Sequence, residues 1–316
     1  MAEPQIPSRP ALPTEPSPAI DELRAGTAQL PLRQPAADAF AGKVLLMSGG
    51  SRGIGLEIAL AAARHGADIA IMAKTAEPDP RIPGTIHTAA EAIREAGGRV
   101  LPYVGDIRSD DDVKGFVEAT IAEFGRIDMV VNNASAINLS PTPVLPLKRY
   151  DLMMDINSRG TFSLVQAALP HLAKSDNPHV LTLSPPVNLE PGWLGNFPAY
   201  SLSKFGMTIL TLGWAHEFGG AVSANCLWPE TTIATAAVAN TQGLGGDEAI
   251  RHSRTPQIMA DAAVAILASE RCTVNGHTLV DADVLRSAGV EDLSGYGGEE
   301  PLNLSLIHIS EPTRLL

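Results

Sequence analysis

Seven short apolar runs, spaced along most of the chain, constrain its fold more than any other feature. They are "KVLLMS" (43–48), "DIAIMA" (68–73), "VLPYV" (100–104), "DMVVNN" (128–133), "HVLTLS" (179–184), "VSANCLW" (222–228) and "HTLVDA" (277–282). A strand with one wet face alternates apolar and polar residues, whereas most of these runs are continuous, as strands covered on both faces of a parallel sheet are. Parallel neighbours need long crossovers. The intervening segments 53–66, 86–97, 109–124, 147–174, 198–218 and 256–269 carry apolar residues at helical spacing. Strand and helix in turn predict one α/β domain over residues 42–300, a doubly wound parallel sheet of about seven strands with helices on both faces.

The two ends read differently. Residues 1–40 are rich in Pro, Ala and Glu, a composition too poor in apolar area to offset chain entropy, and are expected to form a flexible extension in which "IDELRAG" can make a short helix. The last stretch, "SLIHISEPTRLL" (305–316), resembles the translated read-through of a sequencing adapter and is set aside as a non-native tail.

With 23 basic and 35 acidic residues the formal charge is -12, and no run is rich in Lys or Arg. This excludes nucleic acid as an expected partner. The two cysteines, Cys226 and Cys272, have no metal-ligand spacing around them and read as core fillers of a protein in a reducing compartment. No secretory pattern and no apolar run of about 18 residues occurs, so the expectation is a cytoplasmic protein without a membrane span.

"SGGSRGIG" (48–55) follows the first strand and opens the first helix. Gly49 suits the tight turn, Gly53 lets backbone approach a phosphate, and Gly55 permits close helix packing, while the helix N-terminus favours negative charge. The pattern predicts a Rossmann-type dinucleotide site. At the end of the second strand NAD binders place an acid on the ribose diol; here stand Ala73 and Lys74, with Arg52 in the glycine turn. Two cations and no acid favour NADP(H) over NAD(H). Glu77 and Asp79 fall in a proline-rich loop and read as poor ribose ligands.

Of four tyrosines only Tyr200 has a lysine, Lys204, four residues later. On a helix the two share a face, and an ammonium beside the phenol lowers its pKa, which makes Tyr200 an acid/base candidate.

Together these motifs resemble those of the short-chain dehydrogenase/reductase family over residues 42–285, with closer likeness to its hydroxysteroid dehydrogenase-like branch in "NNASAINLS", "KRYDLMMDINSRGTF" and "LSPPVNLEPGW". The resemblance implies hydride transfer between a nicotinamide and a carbonyl or alcohol substrate, with a lipid-like ketone or acyl thioester among the candidates. It implies that Tyr200 moves the proton, that Lys204 binds the nicotinamide ribose, and that Asn157 kinks its helix and anchors a relay water. It assigns Ser48, Ser51, Arg52 and Ile54 to the cofactor turn, Asp106 and Ile107 to the adenine, and Asn133 and Ala134 to the fourth strand end. Homo-oligomers joined through the segments 147–174 and 198–218 follow from the same analogy.

Two departures stand out. The family's catalytic serine, 13 residues before the tyrosine, is missing; Ser184 lies 16 residues before Tyr200 and is followed by Pro185 and Pro186. Either Ser184 still reaches the substrate, or Asn188 replaces it, or Tyr200 and Lys204 act alone. After the sixth strand Pro229-Glu230 replaces the usual Pro-Gly, leaving Ile233 backbone and the Thr232 or Thr235 hydroxyl to meet the carboxamide. Trp193, Leu194, Phe197 and Trp228 are candidate pocket walls, and "RHSRTP" (251–256) a candidate anion contact. The other functional readings are an enoyl or dienoyl thioester reductase, and a cofactor-binding protein with little dehydrogenase activity.

Overall fold

The computed structural model describes residues 18–78, 84–195, 197–240 and 250–298. Residues 1–17, Asp79 and the tail 305–316 lie outside the described residues. The strands are β1 (Val44–Ser48), β2 (Asp68–Ala73), β3 (Val100–Val104), β4 (Met129–Asn132), β5 (His179–Leu183), β6 (Ser223–Trp228) and β7 (Thr278–Val280). They form one sheet in the order β3-β2-β1-β4-β5-β6-β7, and every pairing is parallel. The expected doubly wound architecture is present.

Helices follow the strands: α1 (Pro18–Thr27), α2 (Gly53–Arg64), α3 (Ile86–Glu95), α4 (Asp110–Phe124), α5 (Leu147–Met153), α6 (Gly160–Leu172), the short α7 (Pro191–Leu194), α8 (Pro198–Glu217), α9 (Ala236–Asn240), α10 (Gln257–Leu267) and α11 (Asp281–Ser287). The continuous apolar runs are explained by two cores, one on each face of the sheet. Successive residues of β1 point to opposite faces: Leu45 and Met47 join Ile58 of α2 and Ile258 of α10, while Leu46 joins Phe116 of α4 and Leu164 of α6. The strand is buried along its whole length.

Residues 18–40 depart from the expected flexible extension. α1 lies against β7 and α11, Leu32 and Phe40 are buried, and Ser287 Oγ donates to the carbonyl of Leu30 at 2.9 Å. The cysteines also differ from each other: Cys226 is buried, but Cys272 is exposed, holds a φ of 66° and donates through Sγ to the Gly220 carbonyl. None of the helices among the described residues is long and apolar enough to cross a membrane.

Candidate active site

In an open parallel sheet, ligands bind at the carboxyl ends of the strands where the strand order reverses. That point here is between β1 and β4, whose neighbours lie on opposite sides. A cavity of about 530 Å³ occupies it. From the glycine turn it is lined by Ser48, Gly49, Ser51, Arg52, Gly53 and Ile54. Lys74, Asp106 and Ile107 line one side, and Asn133 and Ala134 the floor by β4. Tyr200, Lys204 and Ile233 complete it. Of the expected site residues, Gly55, Asn157 and Ser184 do not line it.

The turn is built around bare backbone. Gly49 has a φ of +76°, and a Cβ there would sit 2.8 Å from the Cα of Ala134. A Cβ on Gly55 would fall 2.4 Å from Asn133 Nδ2, so Gly55 serves the packing of α2 against β4 rather than the cavity. Asn133 Nδ2 donates to the Gly49 carbonyl at 2.7 Å, and Ser48 Oγ accepts from the amides of Asn133 and Ala134 at 3.3 and 3.2 Å. Ser48 thus ties the end of β1 to the segment that follows β4. The glycine cradle, opening on the cavity at the start of α2, fits the pyrophosphate of a dinucleotide.

The cations at the end of β2 are arranged less simply than their sequence suggests. Lys74 Nζ lies 3.0 Å from Asp106 Oδ2, and Arg108 embraces the same carboxylate with Nε at 3.0 Å from both oxygens. The Arg108 hydrogen bond, with Lys74 assisting, holds Asp106 well below the usual carboxylate range. Lys74 therefore meets any ligand as part of a Lys-Asp-Arg cluster.

Tyr200 and Lys204 sit one turn apart on α8, which starts with Pro198 at its first position, where a missing N–H costs nothing. Both are buried, at 9% and 4% exposure. Lys204 Nζ donates to the Leu183 carbonyl at 2.5 Å and lies 5.3 Å from the Trp228 ring centroid. Burial pushes the Tyr200 phenol above its ordinary value of 10. Burial also takes the lysine down to about 7, against a small opposing influence from Cys226. In a dry site desolvation is the leading influence on both groups.

Asn157 is fully buried in a π-helical turn, Met154–Arg159, between α5 and α6, a distortion found often at functional sites. Its Nδ2 donates to the Ala136 carbonyl at 3.0 Å and Ser203 Oγ at 2.9 Å, and its Oδ1 accepts from the Ala136 amide at 2.7 Å. Both amide hydrogens are thus committed to protein, and one lone pair remains for water. In this position the side chain clamps the segment after β4 to α8.

Ser184 is also fully buried, but its Oγ has no hydrogen-bond partner and lies toward the Cys226 thiol, which burial pushes up to about 11. The adjoining proline corner is pinned by Thr208 Oγ1, which donates to the Pro185 carbonyl at 2.6 Å. Among the three openings left by the sequence, this geometry speaks against Ser184. Asn188 is buried and accepts from the Glu190 amide at 3.0 Å through Oδ1, and it does not line the cavity either.

Residues that sequence reasoning passed over include Thr75, Gly105 and Thr231, all on the cavity wall. Gly105 precedes the recognised Asp106, and that adjacency was its available signal. Trp228, Thr232 and Thr235 line the cavity as expected, whereas the Trp193 side chain lies outside the described residues. In "RHSRTP", Arg254 is buried against the Glu230 carboxylate at 2.8 Å and does not line the cavity.

The profile of the short chain dehydrogenase family matches residues 43–243. Hydroxysteroid dehydrogenase-like protein 2 from Danio rerio is 47% identical over 260 residues, which cover 82% of this chain and 62% of the relative. The human protein of that name is 44% identical over 81% of this chain and 60% of its own length. The chain thus spans about 60% of these relatives' length. A crystal structure of a short chain dehydrogenase from Mycobacterium thermoresistibile superposes with a TM-score of 0.78 at 50% identity, over 86% of this chain and 98% of that one. The chain belongs to the short-chain dehydrogenase/reductase family of oxidoreductases and has its NAD(P)-binding fold.

Proposed function

We propose that the protein is an NADP(H)-preferring oxidoreductase acting on a carbonyl/alcohol pair, with Tyr200 as the proton donor and acceptor. The observation that carries this reading is that the glycine turn, Tyr200 and Lys204 line one cavity at the strand ends. A nicotinamide dinucleotide, when bound, supplies or takes up the hydride. Ser48, Gly49, Ser51, Arg52, Gly53 and Ile54 would hold its phosphates, Asp106 and Ile107 its adenine, and Asn133, Ala134 and Ile233 the nicotinamide half.

Tyr200 Oη is the proton source for a substrate oxygen in reduction and the proton acceptor in oxidation. Lys204, on the same helical face, favours phenolate when protonated, and negative charge in the cavity favours that protonation. Asn157 holds α8 in place through Ser203. Preference for NADP(H) is supported by Lys74 and Arg52 on the cavity wall without an acid at the end of β2. Ile137, Ile156, Trp228 and Val238 give the wall an apolar part suited to a lipid-like substrate. A homo-oligomer is supported by Phe162, Leu202 and Ile209, exposed at 42%, 51% and 61% on α6 and α8.

A second reading, a dinucleotide-binding protein with little turnover, draws on the burial of Ser184 away from the cavity. The test is a panel of ketones, alcohols and acyl-CoA esters with NADPH and NADH, with product analysis separating carbonyl from enoyl reduction. Tyr200→Phe is expected to abolish turnover while leaving NADPH affinity nearly intact. Wild-type turnover in that variant overturns the role of Tyr200; sustained turnover by the parent protein removes the second reading.

A further inference from the structure

The segment Pro229–Ala236 follows β6, and Pro229, Thr231, Thr232, Ile233 and Thr235 from it form one wall of the cavity. Between the wall residues Pro229 and Thr231, Glu230 points the other way, into a buried ionic cluster at 7% exposure. Its Oε2 is 2.8 Å from Arg254 Nη1, and its amide donates to Asp281 Oδ1 at 2.8 Å. Arg254 also holds the segment by backbone: its amide donates to the Thr232 carbonyl at 3.1 Å, and its carbonyl accepts from the Ala234 amide at 2.8 Å.

The remaining Glu230 oxygen, Oε1, is taken by Arg24 Nη2, reaching across from α1. The same guanidinium donates to both oxygens of Asp283, from Nε at 2.8 Å and Nη2 at 2.9 Å. Arg24 thus hydrogen-bonds both Glu230 and Asp283, whereas Arg286 hydrogen-bonds Asp283 Oδ1 alone, at 3.2 Å. Arg286, nearly half exposed, approaches Glu230 Oε1 only to 3.8 Å. Removing Arg24 leaves Glu230 with Arg254 and Asp283 with Arg286 as their close cations and uncouples the two carboxylates, of which Glu230 belongs to the cavity-wall segment.

We propose that Arg24 is a positioning residue: from a helix outside the family-matched segment it latches Glu230 and thereby fixes the cavity wall Pro229–Ala236 for dinucleotide binding. The part concerning affinity rests on the dinucleotide reading above; the latch itself does not. The device joins the N-terminal helix to the site through a planar fork that serves two carboxylates at once, a task to which a lysine point charge is less suited.

The test uses the full chain and the variants Arg24→Gln and Arg24→Lys, with Arg33→Gln at an exposed neighbouring position as control. Hydrogen exchange without ligand is followed in 229–236 and in the central strands β1 and β4. Arg24→Gln is expected to speed exchange in 229–236 by roughly tenfold while β1 and β4 stay as in the parent. NADPH Kd is expected to rise roughly five- to tenfold with kcat on the best substrate within about twofold, and Arg24→Lys to recover part of the affinity. Unchanged exchange in 229–236, or a rise shared equally by β1 and β4, overturns the latch. NADPH affinity within twofold of a parent that binds it overturns the link to the cavity. A parent that binds neither dinucleotide refutes the functional reading, while the exchange data still decide the latch.

Discussion

Replacing Lys204 by methionine tests the physical state of the active-site pair. Burial draws this ammonium down from 10.5 to about 7. Between those values the unfolded chain binds a proton that the folded chain does not, so stability rises with pH across that window and the penalty is fully present below it. At about 1.36 kcal/mol per pH unit, the penalty is about 5 kcal/mol at pH 6 and about 2 kcal/mol at pH 9. Methionine fills nearly the same space without it, but leaves the Leu183 carbonyl without the 2.5 Å hydrogen bond from Nζ. An unpaired buried carbonyl costs about 1–3 kcal/mol. Lys204→Met is therefore expected to be more stable than the parent by about 2–4 kcal/mol at pH 6 and nearly equal to it at pH 9. Urea unfolding of both proteins at the two pH values, without added dinucleotide, measures this, and the other titrating groups cancel because both proteins carry them. Turnover should be lost at either pH. If the variant is destabilised by the same amount at pH 6 and pH 9, burial does not govern Lys204 and the reasoning fails.

Three further outcomes are expected. Gly49→Ala should lose more stability than Gly97→Ala in thermal unfolding, and should lose dinucleotide binding as well: both glycines have positive φ, at +76° and +99°, but only the first Cβ meets backbone, the second having nothing within 4 Å. The left-handed conformation alone costs about 1–2 kcal/mol, which Gly97→Ala measures. Lys74→Ala should lower the ratio of NADPH to NADH affinity by roughly tenfold in fluorescence titration, and an unchanged ratio would remove Lys74 from cofactor choice. Ser184→Ala should keep kcat/KM within about threefold, whereas loss of a true substrate-orienting donor would cost about a hundredfold or more.

Legibility in the sequence followed the range over which each feature is determined. The seven strands were readable because burial on both faces writes itself into consecutive residues such as Leu45, Leu46 and Met47, which the structure divides between two cores. The cavity lining was readable because strand-end motifs in a fixed order converge where the strand order reverses. Helix α1 was legible in "IDELRAG" but its docking was not: what holds it includes Arg24 pairing with Asp283, 259 residues away, and composition sees only a segment poor in apolar residues. Ser184, one of the three openings left by the sequence, stands off the cavity for a geometric reason. Side chains alternate along a strand, so Ser184 follows the side taken by Thr182, whose Oγ1 accepts from Thr211 Oγ1 of α8 at 2.8 Å. Parity along "LTLS" contained that signal, and the motif's catalytic associations obscured it.

The same distinction separates what spacing says about Tyr200 and Lys204 from what burial does to them. Four residues along a helix bring the phenol and the amine together, but the sign of their effect on each other depends on whether the amine is charged. With Lys204 drawn down to about 7 and its Nζ already donating to Leu183, a neutral amine competes with the ammonium near neutral pH, and a neutral amine does not favour phenolate. On the function proposed above, the negative charge of a dinucleotide in the cavity would favour the ammonium.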